Sequence, residues 1–233
     1  MLTAAATEHA PTKESAPRMT KRTIVVGDIH GCFDELSDLL DKAELGEGDS
    51  IVSVGDLIVK GPKNREVMEL FSGNDQFSSV LGNHDRAILQ FWRGERNSLK
   101  PAQERCRDEL AGEHERFCDY LGSLPAMIDL GSHLVVHAGV RSGVSLDAQA
   151  IDDLTELRTL GADRTSREGT PWYDEYDGEK IVLFGHWPEE QMRRGPRAIG
   201  LDTGCVYGFH LTAYVIETGD IIQVRARREY DSA

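Results

Sequence analysis

Thr23-Ile24-Val25-Val26-Gly27-Asp28-Ile29-His30-Gly31 reads as a buried strand that stops on a glycine and then delivers an aspartate and a histidine. Four β-branched residues in a row suit a strand covered on both faces. The glycine lets the backbone turn at once and come close to whatever the next side chains bind. In open α/β sheets, such strand ends carry the site. The same grammar recurs along the chain. Ser50-Ile51-Val52-Ser53-Val54 runs into Gly55-Asp56, and Phe77-Ser78-Ser79-Val80-Leu81 into Gly82-Asn83-His84-Asp85. His133-Leu134-Val135-Val136 runs into His137-Ala138-Gly139, and Lys180-Ile181-Val182-Leu183-Phe184 into Gly185-His186. Leu201-Asp202-Thr203-Gly204 closes the series.

Between the strands, Phe33, Leu36, Leu39, Leu40 and Ala43 recur at helical spacing, and Val67, Met68, Leu70 and Phe71 form a second amphipathic stretch. The chain therefore opens with β-α-β units. Near its end, residues 211–216 and 221–225 flank Glu217-Thr218-Gly219-Asp220, a hairpin signal. Together these patterns predict an α/β fold of two mixed sheets packed face to face, with helices outside. Residues 94–124 carry many charges and a sparse apolar set: Leu110, Phe117, Leu121 and Leu124. They read as a helical insertion, either a lid or wall of the site or a solvated excursion without a role in binding. Residues 1–20 read as a disordered tail and 21–233 as one domain.

With 233 residues, the chain can bury a full core without staples. Its formal net charge of −14 makes it a poor partner for DNA or an anionic membrane. An anionic substrate must then be met by local cations. Cys32, Cys106, Cys118 and Cys205 form no C-x-x-C pair, so neither a disulfide framework nor a zinc ribbon is expected. A reducing cytoplasm is the simplest setting. No run approaches the roughly 18 apolar residues of a membrane span, and no apolar run follows the N-terminal charges, so no secretory signal is expected. A monomer acting on a phosphorylated small molecule or a phosphoprotein is the expected state.

The strand ends supply Asp28, His30, Asp56, Asn83, His137 and His186, a ligand set for two divalent cations. Any one of these residues alone is an ordinary turn or core residue; five strands converging on one edge are not explained by packing. Asp28 and His30 can share a first cation, Asp56 can bridge, and Asn83, His137 and His186 can complete the second. Mixed N and O donors suit Mn, Fe, Zn, Co or Ni, with Mn the first choice. Two such cations can clamp a phosphoryl group and acidify an attacking water. His84 remains over as general acid for the leaving oxygen, with Asp85 as its orienter or as the N-cap of a helix beginning at Arg86. Lys60 and Arg158 are expected on phosphate oxygens. Lys63, which flanks the same loop as Lys60, and Arg86 and Arg141 are weaker candidates, each read rather as a solvated surface charge. Asp202 is expected to buttress a ligand histidine or to form a turn.

The order Gly-Asp-x-His-Gly, Gly-Asp, Gly-Asn-His-Asp, His-Ala-Gly, Gly-His resembles the phosphoprotein-phosphatase branch of the calcineurin-like metallophosphoesterases, over residues 22–228. The resemblance implies a four-layer β-sandwich flanked by helices. Two departures point away from the eukaryotic-type Ser/Thr phosphatases. Their Asp-Arg-Gly is here Val59-Lys60-Gly61-Pro62, and their third motif ends in Glu rather than Asp85. Gly55-Asp56-Leu57-Ile58-Val59-Lys60-Gly61-Pro62 and residues 200–208, Gly-Leu-Asp-Thr-Gly-Cys-Val-Tyr-Gly, look like symmetrical diadenosine tetraphosphate hydrolases and their hydrolase-like phosphatase relatives. That implies hydrolysis of phosphoanhydrides in dinucleoside polyphosphates. The alternative is a serine/threonine phosphoprotein or general phosphomonoester phosphatase.

Overall fold

The computed structural model describes residues 21–232; the expected tail lies outside the described residues. One five-stranded sheet holds β1 (Thr23–Val26), β2 (Ser50–Ser53), β3 (Phe77–Ser79), β9 (His210–Val215) and β10 (Ile221–Arg225), in the order β10-β9-β1-β2-β3. The other holds β4 (Met127–Asp129), β5 (His133–Val136), β6 (Ile181–Phe184), β7 (Arg194–Gly195) and β8 (Ala198–Gly200), in the order β4-β5-β6-β8-β7. β1, β2 and β3 run parallel, with Val25 opposite Val52. So do β5, β6 and β8, with Val135 opposite Leu183. Parallel neighbours need crossovers, and α1 (Phe33–Lys42) and α2 (Asn64–Gly73) provide the first two. β9 and β10 form the expected hairpin, with Tyr214 opposite Ile221.

The apolar strands sort their side chains by alternation. Ile24 and Val26 join a core shared with the helices, while Val25 joins Val52, Val54 and Val80 between the sheets. From the second sheet, Val135 and Leu183 meet that inner layer, and Leu134, Val136, Val182 and Phe184 face outward. A strand buried on both faces must be apolar at every position, which is why these runs are continuous.

The outer face of the first sheet carries α1, α2 and three further helices, α3 (Asn83–Trp92), α4 (Pro101–Leu110) and α5 (His114–Ser123). Residues 94–124 are thus two helices. Cys106, Leu110, Phe117 and Leu121 are buried in that core, while Leu124, Cys118 and Tyr120 pack against it half-buried. The second sheet has a thinner cover. There α6 (Ile151–Glu156) has six residues, and aromatic packing adds to the cover: Trp172 lies edge-on to Phe184 at 5.0 Å and Tyr173 stacks on it at 5.4 Å. Among the described residues no helix is long and apolar enough to cross a membrane.

Candidate active site

Each of the six motifs follows one of the parallel strands. Asp28 and Asp56 follow β1 and β2; His137, His186 and Asp202 follow β5, β6 and β8. The strand before Asp202 is too short and too poor in apolar residues to stand out in the sequence. Asn83 is delivered differently. β3 ends at Ser79, and Asn83 is the first residue of α3.

The loops are tied to one another. Ile29 and His30 donate backbone N–H bonds to Asp56 O at 3.2 and 2.8 Å, and Gly31 to Leu57 O at 2.9 Å. The carboxylates are aimed by amides of the other motif loops: His84 N–H donates to Asp56 Oδ1 at 2.8 Å, and His186 N–H to Asp28 Oδ2 at 3.1 Å. Two glycines make this approach possible. A Cβ at Gly82 would overlap Asp56, and one at Gly185 would overlap Asp28. The turns are sharp: His30, Asp56, Val59, Lys60 and His186 all have positive φ, from 49° to 79°. For a β-branched residue such as Val59 this is strained, at about 1–3 kcal/mol. Asn64 holds it there, accepting from Val59 N–H at 2.8 Å and donating to Gly61 O at 3.1 Å and to Glu109 Oε2 at 2.6 Å. Glu109 belongs to α4, so residues 94–124 brace the Asp56 loop.

At the centre, Asp56 Oδ2 lies 3.6 Å from His30 Nε2 and 3.5 Å from His137 Nε2. Asp28 Oδ2 is 4.0 Å from His30 Nε2, and donor atoms of Asp28, His30 and Asp56 all fall within 4.8 Å of one another. Asn83 Oδ1 lies 2.9 Å from His137 Nε2 and 2.8 Å from His186 Nδ1. Backbone carbonyls set the tautomers. His30 Nδ1–H donates to Ile58 O at 3.2 Å and His137 Nδ1–H to Val54 O at 2.9 Å, which leaves each Nε2 lone pair for a ligand.

The charge state agrees with a cation site. Burial, then Asp202 and Asp56, push Asp28 well above the usual carboxylate range. Burial lifts Asp56 to about 7 and Asp202 to about 6. Burial likewise drives His30 and His186 well below their ordinary value and His137 down to about 4. Neutral imidazoles with free lone pairs, crowded against several buried carboxyls, are a donor set that fits divalent cations.

A cavity of about 290 Å³ opens over these residues. Lys60 lines it, its ammonium donating to Tyr207 Oη at 2.7 Å and lying 3.4 Å from His30 Nε2. Burial alone would lower this lysine's pKa, but Tyr207 and Asp56 carry it above the ordinary value, so it stays charged. Arg158 lines the same cavity, with one guanidinium nitrogen on Thr165 O at 2.9 Å and its Nε buried without a partner. His84 completes the wall, edge-on to His30 at 5.2 Å, with Nδ1 buried and unpartnered.

Two expected contacts are corrected. Asp85 does not orient His84. It is the third residue of α3, which starts at Asn83 and not at Arg86, and its fully buried carboxylate reaches back to accept from Leu57, Ile58 and Gly82 N–H at 3.2, 3.2 and 3.3 Å. A third-position carboxylate closing on its own helix start is a capping-box contact. Asp202 touches no histidine by hydrogen bond; it accepts from Gly204 N–H at 3.1 Å, the turn-forming alternative, while still lining the cavity. Lys63, Arg86 and Arg141 are paired with Asp34, Asp152 and Asp153 at 2.6, 2.7 and 2.6 Å. Lys63 is therefore no free cation beside Lys60. Sequence reasoning missed Tyr207, Lys100 and Arg167, which also line the cavity. Tyr207 lay in a quoted motif without a role; Lys100 and Arg167 follow no strand.

The sequence pattern of the calcineurin-like phosphoesterases matches residues 21–216. The chain is 27% identical to the Bacillus subtilis bis(5'-nucleosyl)-tetraphosphatase PrpE, named asymmetrical, over 90% of this chain and 96% of that one. It is also 27% identical to a symmetrical bis(5'-nucleosyl)-tetraphosphatase of Vibrio parahaemolyticus, over 82% of this chain and 93% of that one. A crystal structure described as a candidate diadenosine tetraphosphatase superposes with a TM-score of 0.74 at 34% identity, covering 91% and 96% of the two chains. A Saccharomyces cerevisiae serine/threonine phosphatase, at 16% identity and a TM-score of 0.64 over 88% and 79%, shares the fold. This chain belongs to the calcineurin-like phosphoesterase family and is a hydrolase of phosphoester or phosphoanhydride bonds.

Proposed function

We propose that this enzyme cleaves phosphoanhydrides, with dinucleoside polyphosphates as its substrates, and uses two divalent cations. The observation that carries the reading is the position of Asp56, whose Oδ2 is shared between His30 on one side and His137 on the other. Asp28, His30 and Asp56 would hold one cation; Asp56, Asn83, His137 and His186 would hold the other. Mn suits the mixed donors best, and Fe, Zn, Co or Ni are compatible. When bound, the cations supply charge neutralisation at the phosphoryl group and an acidified water as nucleophile.

The chain's own groups do the remaining work. Lys60 and Arg158 bind phosphoryl oxygens, Lys60 in an orientation set by Tyr207. His84 protonates the leaving oxygen. Burial and then the Lys60 charge lower the proton affinity of its ring, and a bound polyanion brings the opposite field. Asp85 maintains the Asp56 loop through its amides. The names of the relatives and the unpaired cations around the cavity support a polyphosphate over a single phosphorylated side chain. The four free cysteines fit a reducing, cytoplasmic setting.

The test is a substrate panel with Mn and product identification. Diadenosine tetraphosphate is expected to give a higher kcat/KM than phosphopeptides, with ADP as the main product of symmetrical cleavage. ATP together with AMP would replace symmetrical by asymmetrical cleavage. A larger kcat/KM on phosphopeptides would replace the whole reading by that of a phosphoprotein phosphatase.

A further inference from the structure

Two cations at the cavity are not used by the chemistry described above. Lys100 stands immediately before α4, and Arg167 lies in the loop after α6. Both line the cavity that contains His30, Asp56 and His84. Among the described residues, Lys63, Arg86 and Arg141 each have a carboxylate partner, whereas neither Lys100 nor Arg167 takes part in any ion pair. In a chain of net charge −14, Lys100 and Arg167 join Lys60 and Arg158 around one cavity whose lining also holds Asp56, Asp202 and Asp231, and four cations converging on one cavity favour an anion there.

The backbone under Lys100 is fixed. Its N–H donates to Gln103 Oε1 at 2.9 Å, and Gln103 is buried. Cys106 and Leu110 anchor α4 in the core, and Glu109 ties it to Asn64 of the Asp56 loop. The first turn of α4, Pro101 to Gln103, lines the cavity. Arg167 comes from the opposite side in sequence and lies near Arg158, whose proton affinity is lowered by burial and then by the Arg167 charge. Two like charges held near one another gain from an anion placed between them.

We propose that Lys100 and Arg167 form a distal phosphate clamp that lets the enzyme favour long phosphate chains over single phosphates. The clamp rests on the phosphoanhydride reading above. Lys60 and Arg158 serve the phosphoryl group being transferred; Lys100 and Arg167 bind phosphates further along the chain. A monophosphate ester ends before reaching them. The residues 94–124 thereby act in specificity as well as in bracing the Asp56 loop.

The experiment compares kcat and KM for p-nitrophenyl phosphate, inorganic pyrophosphate, tripolyphosphate and diadenosine tetraphosphate, in the wild type, in Lys100→Ala/Arg167→Ala and in a charge-matched control, Arg105→Ala/Arg225→Ala. Arg105 and Arg225 are exposed and lie outside the cavity. In the clamp variant the ratio of kcat/KM for diadenosine tetraphosphate to that for p-nitrophenyl phosphate is expected to fall about tenfold, mainly through KM, the scale of one or two exposed charge-assisted contacts. The fall should grow with chain length, and raising the salt should shrink it. The control should keep the wild-type ratio. An unchanged ratio in the clamp variant, or an equal fall in the control, would overturn the clamp while leaving the phosphoanhydride reading intact. A wild type that cleaves p-nitrophenyl phosphate but none of the anhydrides would overturn both.

Discussion

The floor of the cavity and its rim are built by opposite means. On the floor, Asp28, His30, Asp56, Asn83, His137 and His186 come from ends of elements and are locked by each other's backbones: His84 N–H on Asp56, His186 N–H on Asp28, Val54 O on His137. On the rim, Lys60, Lys100, Arg158 and Arg167 reach in on long side chains from separate segments, with Tyr207 holding only one of them. The floor is rigid and acidic; the rim is adjustable and cationic. Chemistry that depends on sub-ångström placement suits the floor, and the proposed recognition of longer phosphate chains would fall to the rim.

The comparison breaks first at Asp56. Asp56→Asn is expected to lower turnover by about 10³-fold or more, the scale on which several kcal/mol of transition-state charge stabilisation are lost. Metal analysis should show bound cation falling below two equivalents. An active Asp56→Asn enzyme with two full equivalents would remove Asp56 from the bridge.

His84 stands between floor and rim. His84→Asn should retain both cations and lose about 10²–10⁴-fold in kcat on substrates with poor leaving groups. The loss should shrink on p-nitrophenyl phosphate, whose phenolate leaves with little help. Equal losses on both substrate types would show that the ring does something other than donate a proton.

How much of this was legible in the sequence follows the same division. The floor could be read because its candidate ligands sit directly at the ends of apolar runs, after a glycine at Asp28, Asp56, Asn83 and His186 and with none at His137. Even β8, invisible as a strand in Ala198-Ile199-Gly200, left its motif visible at Asp202. Contacts that depend on where a helix starts were not legible. Asp85 was read as a partner of its neighbour His84, but α3 begins at Asn83 and turns the carboxylate into the Asp56 loop instead. The rim was mostly out of reach. Lys100 and Arg167 have no local signal, since surface lysines and arginines look alike until the chain is folded and their neighbours are known. Lys63 shows the converse: adjacent in sequence to the site, it pairs with Asp34 at the surface.

Within the rim, Lys60 should matter most, because its ammonium lies 3.4 Å from His30 Nε2 on the floor. Lys60→Ala is expected to cost about 2–4 kcal/mol of transition-state stabilisation, read from kcat/KM, the scale for one preorganised charge. Lys60→Arg should restore part of this, since a guanidinium presents its donors in a different geometry. An unchanged kcat/KM in Lys60→Ala would place the lysine with the ordinary surface charges.

The smallest expected effect separates placement from charge. Tyr207 accepts the Lys60 ammonium at 2.7 Å through its hydroxyl, and its ring lies 5.1 Å from the same ammonium. Tyr207→Phe removes the hydroxyl and keeps the ring, so the ammonium remains near the cavity but loses its fixed direction. The hydrogen bond involves a charged group and is half-buried, so its removal should lower kcat/KM by about 1–1.5 kcal/mol, roughly five- to tenfold. The direction matters because an ammonium has three rotatable donors on a flexible stem, and only a held one is in place when the transition state forms. If placement is what Tyr207 contributes, its effect must vanish once the lysine is gone. Tyr207→Phe added to Lys60→Ala should then cost almost nothing further, and the double-mutant cycle should return a coupling close to the whole Tyr207→Phe effect. Additive losses would instead mean that Tyr207 meets the substrate directly, making it part of the rim in its own right and leaving Lys60 to find its position unaided.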